Sequence, residues 1–167
     1  MYNELTKVDI EQMEKELQWR ITELRPKILE EVKFARSHGD LSENFEYKAA
    51  KQERGKNESR IRFLKNMIKT AIVVQDNSGE NEVGLFDTVT FLIEEDNEEE
   101  TVKIATTMRQ DPLCNIISKE SPIGKAIFGK KIGDRVLVEL NKNDGYYIVI
   151  KKIEKGTDDA SMKLRAY

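Results

Sequence analysis

An α+β fold in two parts follows from three features of the sequence. Apolar residues recur every three or four positions from Asp9 to Arg36, turn signals fall at His38-Gly39 and Asn143-Asp144-Gly145, and beyond residue 70 the apolar residues alternate in short runs. The first period is that of a helix burying one stripe and the last that of half-buried strands. Helices gathered before strands point to separate layers rather than to repeated βαβ units.

The first helix carries Ile10, Met13, Leu17, Ile21, Leu24, Ile28, Val32 and Ala35 on its stripe. Asp9 followed by Gln12 reads as a capping box at its start. Pro26 lies inside the pattern, where it removes a backbone donor and kinks the helix or loosens one turn. Gly39 tolerates the left-handed conformation that ends helices, so the helix is expected to stop at His38-Gly39. A second helix is expected from about Ser42 to Lys69, with Phe45, Ala49, Ile61, Leu64 and Ile68 as its seam. Its middle is weak: Lys51 to Ser59 offers no large apolar residue, and Gly55 costs about 1 kcal/mol relative to alanine inside a helix. At 1.5 Å per residue, two such antiparallel helices would make a rod on the order of 40 Å long with the stretch HGDLSEN at its tip.

Beyond residue 70 the run DTVTFLIE alternates Val89, Phe91 and Ile93, RVLVEL alternates Val136, Val138 and Leu140, and YYIVIKKI alternates Tyr147, Val149, Lys151 and Ile153. Asn143-Asp144-Gly145 supplies the hairpin turn between the last two. Ahead of them, Ser121 at the N-cap, Pro122 at the first helical position and Gly129 past the end outline one short helix. Glu94 to Glu100, with six acids, reads as a solvated hairpin loop. The tail from Gly156 lacks periodicity and is expected to be loose.

Composition narrows the function classes. With 38% hydrophobic and 35% charged residues the chain has a soluble composition. The sequence has neither an apolar run long enough to span a bilayer nor an export-type start, so a cytoplasmic location and no membrane partner are expected. A net charge of −3 and a pI near 5.5 argue against free, sequence-independent nucleic-acid binding. Locally the balance differs: Phe45 to Lys69 holds Lys48, Lys51, Arg54, Lys56, Arg60, Arg62, Lys65 and Lys69 against Glu46, Glu53 and Glu58. Such a run is either a solvated helix face or a local anion-binding patch. Cys114 and His38 are each alone in the sequence, which excludes an internal disulfide and a His/Cys zinc cluster. Cys114, set among apolar residues, is expected in the core.

Two carboxylates three residues apart, Asp40 and Glu43, fall at the expected bend. Asp40-Leu41-Ser42-Glu43 fits a capping box, and the same spacing puts both acids on one helix face near a helix N-terminus, where the dipole favours their ionised form. Cap and metal ligand are compatible roles. Mg²⁺ takes one or two carboxylates together with other oxygens, so an exposed pair needs a partner to complete any site.

The stretch ARSHGDLSENFEYKAAK on the hairpin, followed by ISKESPIGKAIFGKKIGD and the closing β-hairpin, resembles the bacterial Gre family of transcript cleavage and elongation factors, in its GreA-like branch, over about residues 5 to 155. The resemblance implies an N-terminal antiparallel coiled coil over 1–70, a C-terminal FKBP-like, β-rich domain with one short helix over 71–156, and a flexible tail over 157–167. It implies a monomeric accessory factor rather than an enzyme. The coiled coil would enter the secondary channel of RNA polymerase, and Asp40 and Glu43 would help to hold a Mg²⁺ of the polymerase active site for cleavage of backtracked RNA near its 3′ end. Arg36 and Lys51 would face that RNA, with Lys48 and Arg54 as additions from spacing only. Ser121, Pro122 and Ile123 would dock on the polymerase. The isolated chain is expected to carry no cofactor. The stretch TTMRQDPLCNIIS, the acidic run and the tail depart from the family pattern, which keeps open a channel-binding regulator that inhibits or competes without promoting cleavage. A prolyl isomerase with a helical handle is a more distant alternative, and the low aromatic content argues against it.

Overall fold

The computed structural model describes residues 3–39 and 43–166. These form two compact units: residues up to Asp9 together with those from Ile72 onward, and Ile10 to Ala71. The opening residues therefore group with the C-terminal half of the chain. The division falls inside the first long helix.

In the helical unit, α1 (Lys7–Trp19) runs through a π-helical turn at Arg20–Leu24 into α2 (Arg25–Arg36), and α3 (Phe45–Thr70) packs against α2. The π turn sits immediately before Pro26, and the Arg25 amide reaches back to the Arg20 carbonyl. This widened turn accommodates the proline ring, which would collide with the carbonyl four residues earlier in an unbroken α-helix. The apolar stripe holds throughout, with Met13, Ile28 and Ala35 buried and Ile10, Leu17, Ile21, Leu24 and Val32 half-buried. On α3, Ile61, Leu64 and Met67 are buried and Ile68 half-buried. Phe45 and Ala49 are instead exposed, Phe45 at 81%. At about 100° per residue, Phe45 lies roughly 100° around the helix from Leu64, at the edge of the seam.

Polar side chains occupy the weak middle. Glu16 accepts hydrogen bonds from Nε and Nη2 of Arg60, at 2.9 and 3.0 Å, and from Nε of Arg20 on its own helix at 2.8 Å. Arg20 also donates to Oδ1 of the buried Asn57 at 3.0 Å. Further towards the turn, Arg25 and Glu58 form a second two-bond pair at 2.7 and 2.8 Å.

In the other unit, β1 (Glu4–Leu5) pairs in parallel with β2 (Ile72–Val73). A five-stranded sheet follows, in the order β5-β4-β3-β7-β6, from β3 (Thr88–Ile93), β4 (Glu98–Ala105), β5 (Ile116–Ser118), β6 (Arg135–Asn141) and β7 (Asp144–Glu154). Its neighbours are antiparallel except β4 and β5. The short helix α4 (Pro122–Ile127) adds Ile127 to a core of Val89, Phe91, Val102, Ile104, Val138, Ile148 and Ile150. Ser121 caps α4 by accepting the Gly124 amide at 3.0 Å, Pro122 stands at its first turn, and Gly129 beyond it has φ +74°. The α+β assignment is thus observed, as helical hairpin and β-rich unit with one short α-helix.

Several details differ from the sequence reading. Register shifts at Glu139/Asn141 and beside Thr90/Phe91 mark β-bulges. The first turns Leu140 out to 52% exposure; the second lies opposite Lys151, so β7 buries Ile148 and Ile150 rather than Tyr147 and Val149. An extra residue reverses the alternation on either side of it. The turn between β6 and β7 is Lys142-Asn143, with Asp144 and Gly145 already paired in β7. Residues 94–97 make the acidic loop, while Glu98 to Glu100 belong to β4. Cys114 is exposed, in a short 3₁₀ turn. The cap of α1 is Thr6 with Asp9 rather than Asp9 with Gln12: Thr6 Oγ1 accepts the Asp9 amide and Asp9 Oδ2 accepts the Thr6 amide.

Asp9 has a second role. Its Oδ1 pairs with Arg109 Nε, both side chains fully buried. Arg109 also donates to Thr6 Oγ1 at 3.1 Å and to the Asp159 carbonyl at 2.9 Å, and its Nη2 lies 2.6 Å from Asp158 Oδ1. The tail has no helix or strand in 157–166, yet Met162 is buried in the core and the Arg165 amide donates to the Met108 carbonyl.

Two outcomes follow. Replacing Arg109 by Met leaves Asp9 buried without its main partner and is expected to cost about 3–5 kcal/mol in denaturant unfolding. Burial alone would raise the Glu16 carboxyl, but hydrogen bonds from Arg60 and Arg20 and their charges outweigh it and hold it below the ordinary range; Glu58 is lowered by its bonds from Arg25. A carboxylate depressed in the folded state stabilises it above the unfolded value, about 4.3, and loses that contribution as pH falls through the folded value. Thermal unfolding of the wild type should therefore drop steeply below about pH 4. Glu16→Gln should unfold more easily at pH 7, by about 1–3 kcal/mol, with a shallower loss in acid.

Candidate functional site

α2 ends where its last carbonyls are met by groups from beyond the helix. The Ser37 hydroxyl donates to the Phe34 carbonyl at 2.6 Å, the His38 amide donates to the Ala35 carbonyl at 3.2 Å, and Gly39 takes φ +107°. The helix therefore stops at the expected glycine.

Across the turn, Asn44 rather than an acid caps α3. Its Oδ1 accepts the Tyr47 amide at 3.0 Å, and its Nδ2 donates to the Ala35 carbonyl at 2.6 Å. One side chain thus satisfies an orphan donor of α3 and adds a second bond to the Ala35 carbonyl, which already accepts the His38 amide, and so ties the two helix ends together. Glu43 stands before this cap and is exposed. It cannot be the third helical residue that a capping box begun at Asp40 requires, so the box reading fails at Glu43. Asp40 lies outside the described residues, as do Leu41 and Ser42. Phe34 is 65% exposed and meets the His38 ring edge-on, with centroids 4.5 Å apart.

Arg36, in the last turn of α2, and Lys51, on α3, are both exposed, as are Lys48 and Arg54. Lys48 Nζ sits 5.7 Å from the Phe45 ring. Among the described residues no group of three or more His, Cys, Asp or Glu could hold a metal ion.

In the β-rich unit the three expected docking residues differ in availability. Ser121 Oγ is engaged in the α4 cap, Ile123 packs on the core, and Pro122 is exposed. Pro122 lines a shallow groove with Glu120, Lys125, Ala126, Leu137 and Glu139. That Asn44 fixes the turn is within reach of the sequence, since it directly precedes the periodic part of α3 and asparagine is a favoured cap; its second bond, to Ala35, and the exposure of Phe34 are not.

These features define a two-part α+β protein whose helical hairpin exposes polar residues, among them Ser37, His38 and Glu43, where its helices end. The family description "Transcription elongation factor, N-terminal" matches residues 3–73 and "Transcription elongation factor, GreA/GreB, C-term" matches residues 77–155. The chain is 42% identical to transcription elongation factor GreA of Macrococcus caseolyticus over 149 residues, 89% of this chain and 94% of that one. It is 43% identical to GreA of Bacillus subtilis over 129 residues, covering 77% and 82%. The chain belongs to the GreA/GreB family of transcription elongation factors. Among solved structures it is similar to GreA factor homolog 1 of Thermus thermophilus, with TM-score 0.41 at 24% identity over 91% of this chain and 98% of that one. It is likewise similar to the GreA/GreB factor of Nitrosomonas europaea, with TM-score 0.40 at 22% identity over 57% and 79%. No helix among the described residues is long and apolar enough to cross a membrane.

The two bonds of Asn44 can be separated. Asn44→Asp keeps the cap acceptor and removes the donor to Ala35, whereas Asn44→Ala removes both. Amide exchange at Tyr47 should stay slow in Asn44→Asp and quicken in Asn44→Ala, with a loss of about 0.5–2 kcal/mol for the cap. Amide exchange at Ser37 and His38 should quicken in both.

Proposed function

We propose that this chain binds bacterial RNA polymerase, places the end of its helical hairpin in the secondary channel, and stimulates the polymerase's own Mg²⁺-dependent cleavage of backtracked RNA. The observation that carries this reading is the exposed Glu43 held directly before the Asn44 clamp. A carboxylate fixed there lies beside the N-terminus of α3, whose dipole favours its charged form. In this reading Asp40 and Glu43 are the metal-directed acids, and the nuclease centre belongs to the polymerase.

Mg²⁺, when bound between the two proteins, would stabilise developing negative charge on the phosphoryl oxygens and help to activate water. The chain's own residues supply orientation and charge. Asn44 fixes the backbone that carries Glu43, and Arg36 and Lys51 offer cations to the phosphates of the RNA 3′ segment. Pro122 and its groove, with Ser121 and Ile123 shaping α4, serve as the docking surface on the polymerase. The chain acts as a monomer and brings no cofactor of its own. Membership of an elongation-factor family and a hairpin ending in an exposed acid support this assignment.

The test is cleavage by stalled, backtracked polymerase. Asp40→Asn and Glu43→Gln should each fold and bind polymerase as the wild type does, while cleavage falls at least about tenfold, a barrier rise of about 1.4 kcal/mol. Added Mg²⁺ should restore part of the rate. Wild-type cleavage by both variants across the Mg²⁺ range would overturn the role of the acids. Binding without any cleavage by the wild-type chain would make it an inhibitory regulator.

A further inference from the structure

The helical unit carries a second surface close to the turn. Between α2 and α3 lies a depression lined by Phe34, Ala35, Ala49, Ala50 and three glutamates, Glu31, Glu46 and Glu53. Its apolar part exists because the seam near the turn is built from alanines, whereas Ile61, Leu64 and Met67 fill it farther along α3. Phe34, on α2, leaves 65% of its surface exposed there. An aromatic ring beside an apolar floor is surface whose burial is favourable, and such patches mark contact sites.

Charge decides what fits. Three exposed carboxylates line the depression beside its apolar residues, and Lys56 approaches Glu53 only at 3.9 Å, as an exposed pair. A nucleic-acid base stacked on Phe34 would bring its phosphates towards like charges. An arginine or lysine side chain meets both features at once: its cation pairs with carboxylates and lies over an aromatic ring, while its stem covers apolar surface. Arg36, Lys48, Lys51 and Arg54 do not line the depression, so a cation-accepting surface is distinct from the residues assigned to RNA.

We propose that this depression is a docking site for a basic segment of a protein partner, an arginine or lysine side chain entering between the glutamates and against Phe34. The inference rests on the function proposed above, which makes that partner RNA polymerase. The tip acids then govern the cleavage rate, and the depression governs how tightly the hairpin is held.

The experiment uses the full chain and backtracked polymerase complexes. Glu31→Gln/Glu46→Gln/Glu53→Gln and Phe34→Ala keep helix-compatible residues at exposed sites, and thermal unfolding checks that each folds. Each is expected to raise the half-saturating concentration of factor about fivefold or more while the maximal cleavage rate stays within about twofold. The glutamine variant's defect should shrink as salt is raised, because the wild type loses its electrostatic advantage. A photo-crosslinking phenylalanine analogue at position 34, with all glutamates intact, should label a polymerase subunit. Unchanged half-saturation in both variants overturns the proposal, as does a lower maximal rate at unchanged half-saturation, or crosslinking to RNA. If Asp40→Asn and Glu43→Gln cleave normally, the cleavage role fails, yet competition binding by the groove variants and the crosslink still decide this inference. Failure of the wild-type chain to bind polymerase overturns both.

Discussion

Glu16 sets the register of the helical hairpin. Burial of Met13, Ile28, Ile61 and Leu64 favours the packed hairpin, but apolar burial is non-directional and tolerates sliding. The two-bond grip of Arg60 on Glu16 has essentially one geometry. Arg20 completes it from the same helix and passes a further bond to Asn57, so a slip of one turn would strand several part-buried polar groups together. Arg25 and Glu58 repeat the constraint nearer the turn. Only in this register does the Asn44 amide meet the Ala35 carbonyl. The position of Glu43 therefore depends on a carboxylate far along the helix from it.

Arg109 does comparable work in the β-rich unit by a costlier route. A fully buried guanidinium is tolerable because Asp9, Thr6, Asp158 and the Asp159 carbonyl all converge on it. It collects the start of α1, the 3₁₀ turn after β4 and the tail into one knot. This explains why residues up to Asp9 group with a domain that is far away in sequence, and why a tail without regular structure still contributes a buried methionine.

How much could be read from the sequence depended on the range of the physics. The stripe of α1 and α2 was legible because it repeats over many turns, and the Ser121-Pro122-Gly129 frame because each residue acts on its own backbone. The bulges at Leu140 and Lys151 were not, since one inserted residue inverts the alternation and leaves no mark in composition. Thr6 and Asn44 were displaced as caps by acids that fit the same short pattern. Arg109 was invisible because Asp9 lies 100 residues away in the chain. Phe45 is exposed because its angular position puts it at the edge of the seam, which apolar character alone does not disclose. At the candidate site, spacing alone leaves Asp40 and Glu43 between cap and ligand; the position of Glu43 before the true cap removes the capping role from Glu43.

That removal has a structural logic. Near the turn the hairpin gives up large apolar residues, and Ala35, Ala49 and Ala50 stand where leucines and isoleucines would close the seam. Closing it with bulk would stabilise the end but thicken it and engage its side chains in packing. Instead the helix ends are joined by one asparagine, which pairs the Tyr47 amide, a donor that needs a partner in any case, and adds a bond to the Ala35 carbonyl. Side chains on both sides of the clamp are thereby relieved of holding the fold. Glu43, Phe34, Arg36 and Lys51 all remain exposed on a framework whose order is set by Asn44 and, farther back, by Glu16. An end built this way is suited to meeting a partner, because the groups it offers are not the groups that keep it folded.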